Sequence, residues 1–318
     1  MKRSLIGMLG ATNIATALTA FGLLAILAVL ASTSSADTAI KVYVLTGQSN
    51  SLGTLYAEVA AGTDYSPGAD PADAATPFFW SNFWSGTIDI GDSGGAITTL
   101  QMQQGYDTGS YVHPAFWGPE FGFARKMHAQ GKGGEDILIV KVSRAGGGNT
   151  YWSKEAGGHM YNDILSTVSA ATDELDSAGK SFEIAGLMYL QGESDSTAEA
   201  AIAGTRLGTL ISNLRADLPN AANMYAVIAG VTAASTNRDT VRTQQAALAA
   251  ADPMIDYFSN LDVELYSGDN LHLTKASKLI VGERFADAFL AHELPEPDML
   301  TLMAMASLSL LAIRRKTA

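Results

Sequence analysis

The sequence contains no cysteine among its 318 residues. Disulfide bonds, a thiolate nucleophile and metal sites built from cysteine are therefore excluded. Positive charge is also scarce, because 20 lysine and arginine residues stand against 32 aspartate and glutamate residues, for a formal net charge of −12. A chain of that charge repels a phosphate backbone, so we expect no nucleic-acid partner.

Metal-binding patterns are absent from the sequence as well. The five histidines do not fall at the spacings of zinc hydrolases, and no cluster of histidine and carboxylate residues forms a metal-ligand motif. We therefore expect no metal ion. Hydrophobic residues make up 47% of the chain, which is sufficient for one large domain with a buried core.

The N-terminal end has the composition of a targeting segment. Met1-Lys2-Arg3 is followed by an apolar stretch at 17–31 and by the small residues Ser34-Ser35-Ala36. This order is typical of a secretory signal peptide that is removed after export. We therefore expect a signal peptide over residues 1–36, with signal peptidase as a partner; an uncleaved membrane anchor is the alternative.

The C-terminal end combines Pro295-Glu296-Pro297, an apolar run at 299–313 and the basic triplet Arg314-Arg315-Lys316. The run is shorter than the roughly 20 residues of a bilayer-spanning helix. In this order the segment 294–318 resembles the PEP-CTERM sorting tail of Gram-negative bacteria. The resemblance implies recognition by an exosortase, a membrane contact only before processing, and release to the periplasm, cell surface or extracellular matrix. A simple C-terminal anchor is the alternative.

Between these ends, over residues 37–293, apolar runs alternate with helical patterns. The β-branched apolar runs predict strands, and apolar residues at helical spacing predict helices between and after them. Parallel strands require crossover connections, so the alternation indicates one parallel sheet with helices on both faces. The predicted strands lie at 40–46, 136–142, 182–190, 224–229 and 255–259, and the predicted helices at 119–129, 160–177, 198–218, 238–250 and 275–291.

The segment 54–113 interrupts this alternation. It shows no sustained periodicity and is rich in glycine, proline, aspartate and aromatic residues, including Phe78-Phe79-Trp80 and Phe83-Trp84. A structureless segment of that length in a compact domain is typical of a binding loop or lid. Its aromatic rings either face the apolar surfaces of sugar rings or pack the loop onto the rest of the domain, and the sequence leaves both readings open.

Four polar clusters follow predicted strands. Ligands of open α/β sheets bind beyond the carboxyl ends of the strands, so we expect these clusters to converge on one edge of the sheet. The clusters are Gly47-Gln48-Ser49-Asn50-Ser51-Leu52-Gly53, Arg144-Ala145-Gly146-Gly147-Gly148-Asn149, Gln191-Gly192-Glu193-Ser194-Asp195 and Ser267-Gly268-Asp269-Asn270-Leu271-His272-Leu273-Thr274.

Three residues of these clusters have the side chains of a nucleophilic triad. A serine hydroxyl is a poor nucleophile until a neighbouring base takes its proton, and Ser49 lies in a glycine-flanked turn at a strand end. Asp269 precedes His272 by three residues, so one turn can bring its carboxylate to the imidazole Nδ1 and fix the tautomer. For Ser49 the alternative is a turn serine that hydrogen-bonds its own backbone. For Asp269 the alternative is a residue that caps the N-terminus of the last helix.

Taken together, the motifs resemble those of the SGNH hydrolases, in particular the branch of sialate O-acetylesterases and carbohydrate esterase family 6 acetyl xylan esterases. The resemblance implies a three-layer α/β/α flavodoxin-like fold with a five-stranded parallel sheet. It also implies serine-dependent hydrolysis of acetyl esters on carbohydrate, a reaction for which we expect no cofactor. It rests, in chain order, on Gly47-Gln48-Ser49-Asn50, Gly118-Pro119-Glu120, the glycine block at 145–152, Gln191-Gly192-Glu193-Ser194-Asp195 and Asp269-x-x-His272.

The resemblance further implies roles for individual residues. Ser49, Asp269 and His272 would form the triad, and the oxyanion would be held by the backbone N–H groups of Ser49 and Gly147 and by the side-chain amide of Gln191. Supporting roles would fall to Gln48, Asn50, Glu120, Gly146, Asn149 and Glu193.

Two departures from the pattern of the family leave its substrate preference open. Ser51 stands in place of a methionine, and Asn149-Thr150 in place of Thr-Ser; we expect both near the acyl or sugar pocket. Two other functions also fit the sequence. A noncatalytic carbohydrate-binding or matrix protein could use the same fold, although an intact Ser/Asp/His set argues against it, and a lipid or aryl esterase would keep the chemistry but change the substrate.

Overall fold

The computed structural model of the protein describes residues 39–53, 67–84, 89–107 and 112–293. The expected signal peptide at 1–36 and the expected sorting tail at 294–318 therefore lie outside the described residues. Within the described ranges, the helices are either too short or too polar to cross a bilayer.

The strands form where apolar and β-branched residues are concentrated, and most of them belong to one sheet of eight strands. The strands of the described residues are β1 (Ile40–Gly47), β2 (Pro77–Phe83), β3 (Asp89–Asp92), β4 (Thr98–Thr99), β5 (Gln103–Asp107), β6 (Val112–Phe116), β7 (Ile137–Arg144), β8 (Phe182–Leu190), β9 (Tyr225–Ala229) and β10 (Ile255–Phe258). Strands β5 and β6 pair with each other as a separate antiparallel ribbon.

The order of the strands in the large sheet is β10-β9-β8-β1-β7-β2-β3, and β4 also pairs with β2. The neighbours from β10 to β2 pair in parallel, whereas β3 and β4 pair with β2 antiparallel. Strand β1 therefore lies between β7 on one side and β8 on the other. The connections from neighbouring strands run to opposite sides of the sheet at this point. This reversal opens a crevice at the carboxyl end of β1.

Helices pack against both faces of the sheet. Val42 and Val44 of β1 belong to one buried apolar cluster, and Tyr43 and Leu45 belong to another. Because successive strand residues point to opposite faces, these clusters lie on the two sides of the sheet. The helices of the described residues are α1 (Ser49–Leu52), α2 (Pro71–Ala75), α3 (Glu120–Ala129), α4 (His159–Ser177), α5 (Thr197–Ala200), α6 (Ala203–Asp217), α7 (Thr236–Ala251) and α8 (Lys275–Glu293). Two 3-10 turns, Gly134–Asp136 and Asn149–Trp152, precede and follow β7.

The predicted mixed α/β fold with a largely parallel sheet is confirmed, and each of the five predicted strands is present. The predicted number of five strands is wrong, because β2 adds a sixth parallel strand beside β7. Strands β3 and β4 then pair with β2 and widen the sheet on that side. The helix predicted at 198–218 is also divided into α5 and α6. Its backbone leaves the helical region at Ile202, where φ is −123° and ψ is 15°.

The segment 54–113 is not a structureless loop, since its described residues contain α2 and the strands β2 to β5. Strand β2 begins at Pro77, a position where a missing N–H is tolerated. Phe78, Phe79 and Trp80 of this strand are buried. These three rings therefore pack in the interior of the domain and are not available to contact a sugar ring.

Candidate active site

The carboxyl end of β1 brings Ser49 to the crevice between β7 and β8. The strand ends at Gly47, which has a φ of +154° and where an added Cβ would lie 1.9 Å from the carbonyl oxygen of Leu190. A glycine is therefore needed for β1 and β8 to approach so closely at this turn. The chain then enters α1 with Ser49 as its first residue, 8% exposed.

Ser49, His272 and Asp269 form a continuous line of hydrogen bonds. The Nε2 atom of His272 lies 2.8 Å from Ser49 Oγ, and its Nδ1 atom lies 2.6 Å from Asp269 Oδ2. With the proton on Nδ1 held by Asp269, Nε2 can accept the proton of the serine hydroxyl. The geometry can thus generate a serine nucleophile from residues that are 223 positions apart.

Asp269 also shapes the loop that carries the histidine. Its Oδ1 atom accepts the backbone N–H groups of Leu271 at 2.9 Å and of His272 at 3.0 Å. Burial is the largest single influence on the pKa of Asp269 and acts to raise it. The hydrogen bonds from the His272 ring and from the two N–H groups outweigh burial, so the pKa lies below its ordinary value. The carboxylate is therefore ionised at neutral pH and can stabilise an imidazolium ion.

Asn50, next to Ser49 in α1, connects three of the loops at this edge. Its Oδ1 accepts the backbone N–H of Leu273 at 2.9 Å. Its Nδ2 donates to Glu193 Oε1 at 2.9 Å and also lies 3.2 Å from Thr232 Oγ1 and 3.3 Å from the carbonyl oxygen of Leu271. The amide thus ties the nucleophile segment to the loops that follow β8 and β9 and to the histidine loop.

Gln48 and Glu193 complete the link between α1 and the loop after β8. The side-chain oxygen of Gln48 accepts the backbone N–H groups of Gly192 and Ser194, each at 3.4 Å. Glu193 is 6% exposed, and burial raises its pKa to about 7, against the lowering effect of the hydrogen bond from Asn50. Both residues hold loops in place and are themselves buried.

Gln191 and Asn149 meet on the carboxylate of Asp195. Gln191 Nε2 donates to Asp195 Oδ1 at 2.8 Å, and Gln191 Oε1 accepts the hydroxyl of Tyr189 at 2.7 Å. Asn149 donates its backbone N–H to Asp195 Oδ1 at 2.9 Å and its amide to Oδ2 at 2.7 Å. Burial raises the pKa of Asp195 to about 6. Sequence reasoning gave Asp195 no role, although it closes the Gln-Gly-Glu-x-Asp motif.

Arg144 packs against the glycine block that follows β7. Gly146 and Gly147 have φ values of +64° and +87°. A Cβ on Gly147 would lie 1.9 Å from Arg144 Nη1 and 2.8 Å from a ring carbon of Tyr151. The Arg144 guanidinium donates to the carbonyl oxygen of Gly146 at 2.9 Å and stacks 3.7 Å from the centre of the Tyr151 ring. Any side chain at Gly147 would displace this stack.

Glu120 lies beneath α1 in a buried ion pair. Its Oε1 accepts Lys141 Nζ at 2.8 Å, and Lys141 also donates to the carbonyl oxygen of Leu52 at 2.9 Å. Both charged side chains are fully buried, and burial lowers the pKa of Lys141. On the same end of α1, Lys278 donates to the carbonyl oxygen of Gly53 at 3.2 Å. Glu120 therefore supports the nucleophile helix from below. Neither lysine was identified from the sequence, although Lys141 interrupts an otherwise apolar strand.

The two departures from the family pattern occupy different surroundings. Ser51 is fully buried, with its Oγ 2.7 Å from Ser143 Oγ, so it contacts the core beneath α1 and not a surface pocket. Thr150 is half-buried, and its Oγ1 bonds Glu199 Oε1 at 2.6 Å and Arg206 Nη1 at 2.7 Å. In the portion of the chain that is described, no three histidine or carboxylate residues are grouped as metal ligands.

Comparison with known proteins places these observations in a family. The model of the carbohydrate esterase family of sialic acid-specific acetylesterases matches residues 94–291, more than half of the chain. The match contains the glycine block at 144–149, the cluster at 191–195 and the histidine loop at 267–274, and it begins after the Ser49 segment. Among curated proteins, no relative matches the sequence.

Similar solved structures include a protein from Arabidopsis thaliana, with a TM-score of 0.56, 22% identity and coverage of 79% of this chain and 98% of that chain. NanS has a TM-score of 0.50 and 17% identity, with coverage of 80% and 98%. A carbohydrate acetylesterase from Xanthomonas citri has a TM-score of 0.52 and 16% identity, and the alignment covers 77% of this chain and 54% of that chain. At these identities the likeness concerns the fold.

Proposed function

This chain belongs to the sialic acid-specific acetylesterase family of carbohydrate esterases, and we propose that it removes acetyl groups from carbohydrate with Ser49 as the nucleophile. The observation that carries the proposal is the hydrogen-bonded line of Ser49 Oγ, the His272 ring and the Asp269 carboxylate, at 2.8 Å and 2.6 Å. In this set the base activates the serine nucleophile and the acid orients the base, which is the arrangement that covalent ester hydrolysis by a serine uses.

The proposed reaction has two steps. Ser49 Oγ attacks the acetyl carbonyl carbon while His272 Nε2 takes the hydroxyl proton, and the bond to the sugar oxygen breaks as His272 returns that proton to the leaving alcohol. A water molecule then attacks the acetyl-serine and gives a proton to His272. Acetate leaves, and Ser49 regains its hydroxyl hydrogen. Asp269 stabilises the imidazolium in both steps.

Three hydrogen-bond donors are proposed for the oxyanion: the backbone N–H groups of Ser49 and Gly147 and the side-chain amide of Gln191. The bond from Gln191 Nε2 to Asp195 fixes the orientation of that amide and leaves its second hydrogen for another acceptor. Removal of one such donor costs roughly 3–4 kcal/mol of transition-state stabilisation.

A sugar as the alcohol part of the ester is supported by Tyr151, which touches the glycine block at Gly147. The residue is 37% exposed; the Arg144 guanidinium covers one face of its ring, and the His159 ring packs against it edge-to-face with the ring centres 5.5 Å apart. A partly exposed aromatic ring beside the oxyanion loop suits contact with the apolar face of a sugar ring. Acyl-chain profiling separates this function from a lipid esterase, because an acetyl specialist will lose activity sharply on butyryl and longer esters.

Substitution of the nucleophile tests the proposal directly. Ser49→Ala will abolish acetate release from a panel of acetylated polysaccharides and from 4-nitrophenyl acetate, with kcat lower by about 10⁴- to 10⁶-fold. Ser166→Ala, at an exposed serine of α4, is the matched control and will keep wild-type rates. A Ser49→Ala protein that retains more than about a tenth of the wild-type kcat on these esters would end the serine mechanism.

Export is part of the same proposal. The order of basic, apolar and small residues in 1–36 supports cleavage by signal peptidase, and the Pro-Glu-Pro tail at 294–318 supports processing by an exosortase. Mass spectrometry of the protein recovered from the cell surface or medium tests this, since both segments are expected to be missing.

A further inference from the structure

Asn50 holds the backbone on both sides of His272. Its Oδ1 accepts the N–H of Leu273 at 2.9 Å, and its Nδ2 lies 3.3 Å from the carbonyl oxygen of Leu271. These two residues flank the histidine, and Asn50 itself follows Ser49. The Asn50 amide therefore sets how closely the imidazole ring approaches the serine hydroxyl.

These bonds require one orientation of the amide. A flipped amide would turn its NH₂ group toward the N–H of Leu273 and its oxygen toward the carbonyl of Leu271, and both bonds would be lost. Glu193 selects the working orientation, because its Oε1 accepts Nδ2 at 2.9 Å and would repel an amide oxygen. Thr232 adds to this, since its Oγ1 donates to the Leu271 carbonyl at 2.7 Å and lies 3.2 Å from Nδ2.

Packing alone does not explain a glutamate at position 193. The side chain is almost fully buried, and its Oε2 atom has no hydrogen-bond partner among the described residues. Two charged groups affect its pKa: Arg238, whose Nε donates to the Glu193 backbone carbonyl at 3.2 Å, lowers it, and the buried acid Asp195 raises it. A buried, half-bonded carboxyl group destabilises the fold, so its presence calls for a benefit elsewhere.

We infer that Glu193 is a positioning residue, which acts through Asn50 to keep His272 Nε2 within hydrogen-bonding distance of Ser49 Oγ. The role depends on an acceptor at Oε1 and not on charge, because a carboxyl protonated at Oε2 still accepts at Oε1. The inference rests on the proposed function, in which Ser49 and His272 carry out the chemistry.

Four variants separate this role from general stability. Glu193→Gln keeps an acceptor of the same size, and kcat on 4-nitrophenyl acetate will stay within about threefold of wild type. Glu193→Ala removes the acceptor and will lower kcat by about 10- to 100-fold, with KM within about twofold, because the bond acts on the geometry of the catalytic pair. Asn50→Leu removes both the donor and the acceptor of the amide at similar size and will be at least as slow.

The double variant Asn50→Leu/Glu193→Ala tests whether the two residues act through one contact. Its kcat is expected to lie within about threefold of that of Asn50→Leu, because Glu193 acts only through the Asn50 amide. The rate at which a fluorophosphonate labels Ser49 reports on the Ser49–His272 pair without a sugar, and it is expected to follow kcat across the series. Thermal unfolding identifies any variant that loses its fold.

The outcomes distinguish the two proposals. If the wild-type protein hydrolyses the ester and Glu193→Ala keeps its kcat and labelling rate, the positioning role is overturned and the proposed function stands. A double variant that is slower than Asn50→Leu by the full factor seen for Glu193→Ala would show that Glu193 does not act through Asn50, and it overturns the positioning role in the same way. If the wild-type protein neither hydrolyses esters nor labels, the proposed function fails, and the positioning role fails with it.

Discussion

At the scale of single residues, the candidate site contains two buried acids beside its triad. Burial raises the pKa of Glu193 to about 7 and that of Asp195 to about 6, although hydrogen bonds from neighbouring amides act in the opposite direction. Each carboxyl group thus binds its proton more tightly in the folded chain than in the unfolded one. The stability of the fold must then depend on pH through these two groups.

Glu193 gives the sign and size of this dependence. Its pKa rises from an ordinary 4.5 to about 7 on folding, so its contribution to stability is full below pH 4.5 and is lost as the pH rises through 7. A shift of that size corresponds to about 3 kcal/mol. Glu193→Gln removes the titration, and we expect the free energy of unfolding of this variant, relative to wild type, to increase by about 3 kcal/mol between about pH 4.5 and 8.

Urea denaturation across this pH range measures the effect. Glu183→Gln, at an exposed glutamate of β8, serves as the control and will run parallel to wild type. If the curves of Glu193→Gln and wild type also run parallel, Glu193 does not change its pKa on folding.

Individual site residues differ in how far sequence reasoning can reach them. Ser49, Asp269 and His272 stand out because few residue types can act as nucleophile, acid and base, and because Asp269 and His272 share one turn. The Asn50–Glu193 bond joins residues 143 positions apart, and the Lys141–Glu120 pair forms under a helix. Which loops and helices meet there is decided by tertiary packing, so the chain pattern alone does not contain these pairs.

At the scale of elements, helices α3 and α8 cross with backbone against backbone. An added Cβ on Gly122 would lie 2.0 Å from the carbonyl oxygen of Leu279, and one on Gly282 would lie 2.1 Å from that of Pro119. Glycine inside a helix costs about 0.5–1 kcal/mol of stability relative to alanine. The two glycines are therefore explained by the close approach of the helices, which leaves no room for a side chain. Helix α8 follows the histidine loop directly, and its position therefore bears on the site.

Gly282→Ala will destabilise the protein even though alanine is the better helix former. The added methyl group meets backbone atoms that cannot rotate away, so we expect the free energy of unfolding to fall by about 1–3 kcal/mol. Gly208→Ala in α6 is the matched control, because its methyl group meets only the flexible end of Leu248 at 3.2 Å. The control will be neutral or stabilising by up to about 1 kcal/mol in urea denaturation. Equal effects of the two substitutions would contradict a backbone-to-backbone crossing.

The periodicity of the sequence located most elements to within two residues, because apolar runs buried on both faces leave a clear pattern. Strand β2 (Pro77–Phe83) was missed, since its proline and its Ser81-Asn82 pair read as loop residues although its aromatic residues favour a strand. The break between α5 and α6 was missed for another reason. It depends on the backbone at Ile202, a residue type that does not itself end a helix.

At the scale of the whole molecule, the parallel sheet concentrates function at one edge. Strand β1 lies between β7 and β8, so the loops that follow all three strands meet at its carboxyl end. This convergence was predictable from the alternation of strands and helices, because the rule for open sheets does not depend on side-chain detail. The strands β2, β3 and β4 on the far side of β7 were not predictable in the same way, because short strands of mixed polarity carry little periodic signal.

The net charge of the molecule sets a last expectation, which concerns the choice between anionic and neutral substrates. A chain with a formal charge of −12 repels a polyanionic glycan, and salt screens that repulsion as the Debye length falls from about 30 Å at 0.01 M to about 8 Å at 0.15 M. We expect kcat/KM on an O-acetylated, carboxylate-bearing glycan to rise about three- to tenfold over this range. On neutral acetylated xylan it will change by less than about twofold.

Steady-state kinetics with the two polymers at both ionic strengths, and 4-nitrophenyl acetate as an uncharged control, will measure this difference. A kcat/KM on the anionic glycan that falls with salt would contradict the expectation. It would mean that the arginines at the sheet edge, Arg144, Arg206 and Arg238, attract the substrate more strongly than the rest of the surface repels it. The arginines would attract an anionic substrate, whereas the net negative charge of the protein repels it. The direction of the salt effect on kcat/KM therefore shows which of these two interactions dominates.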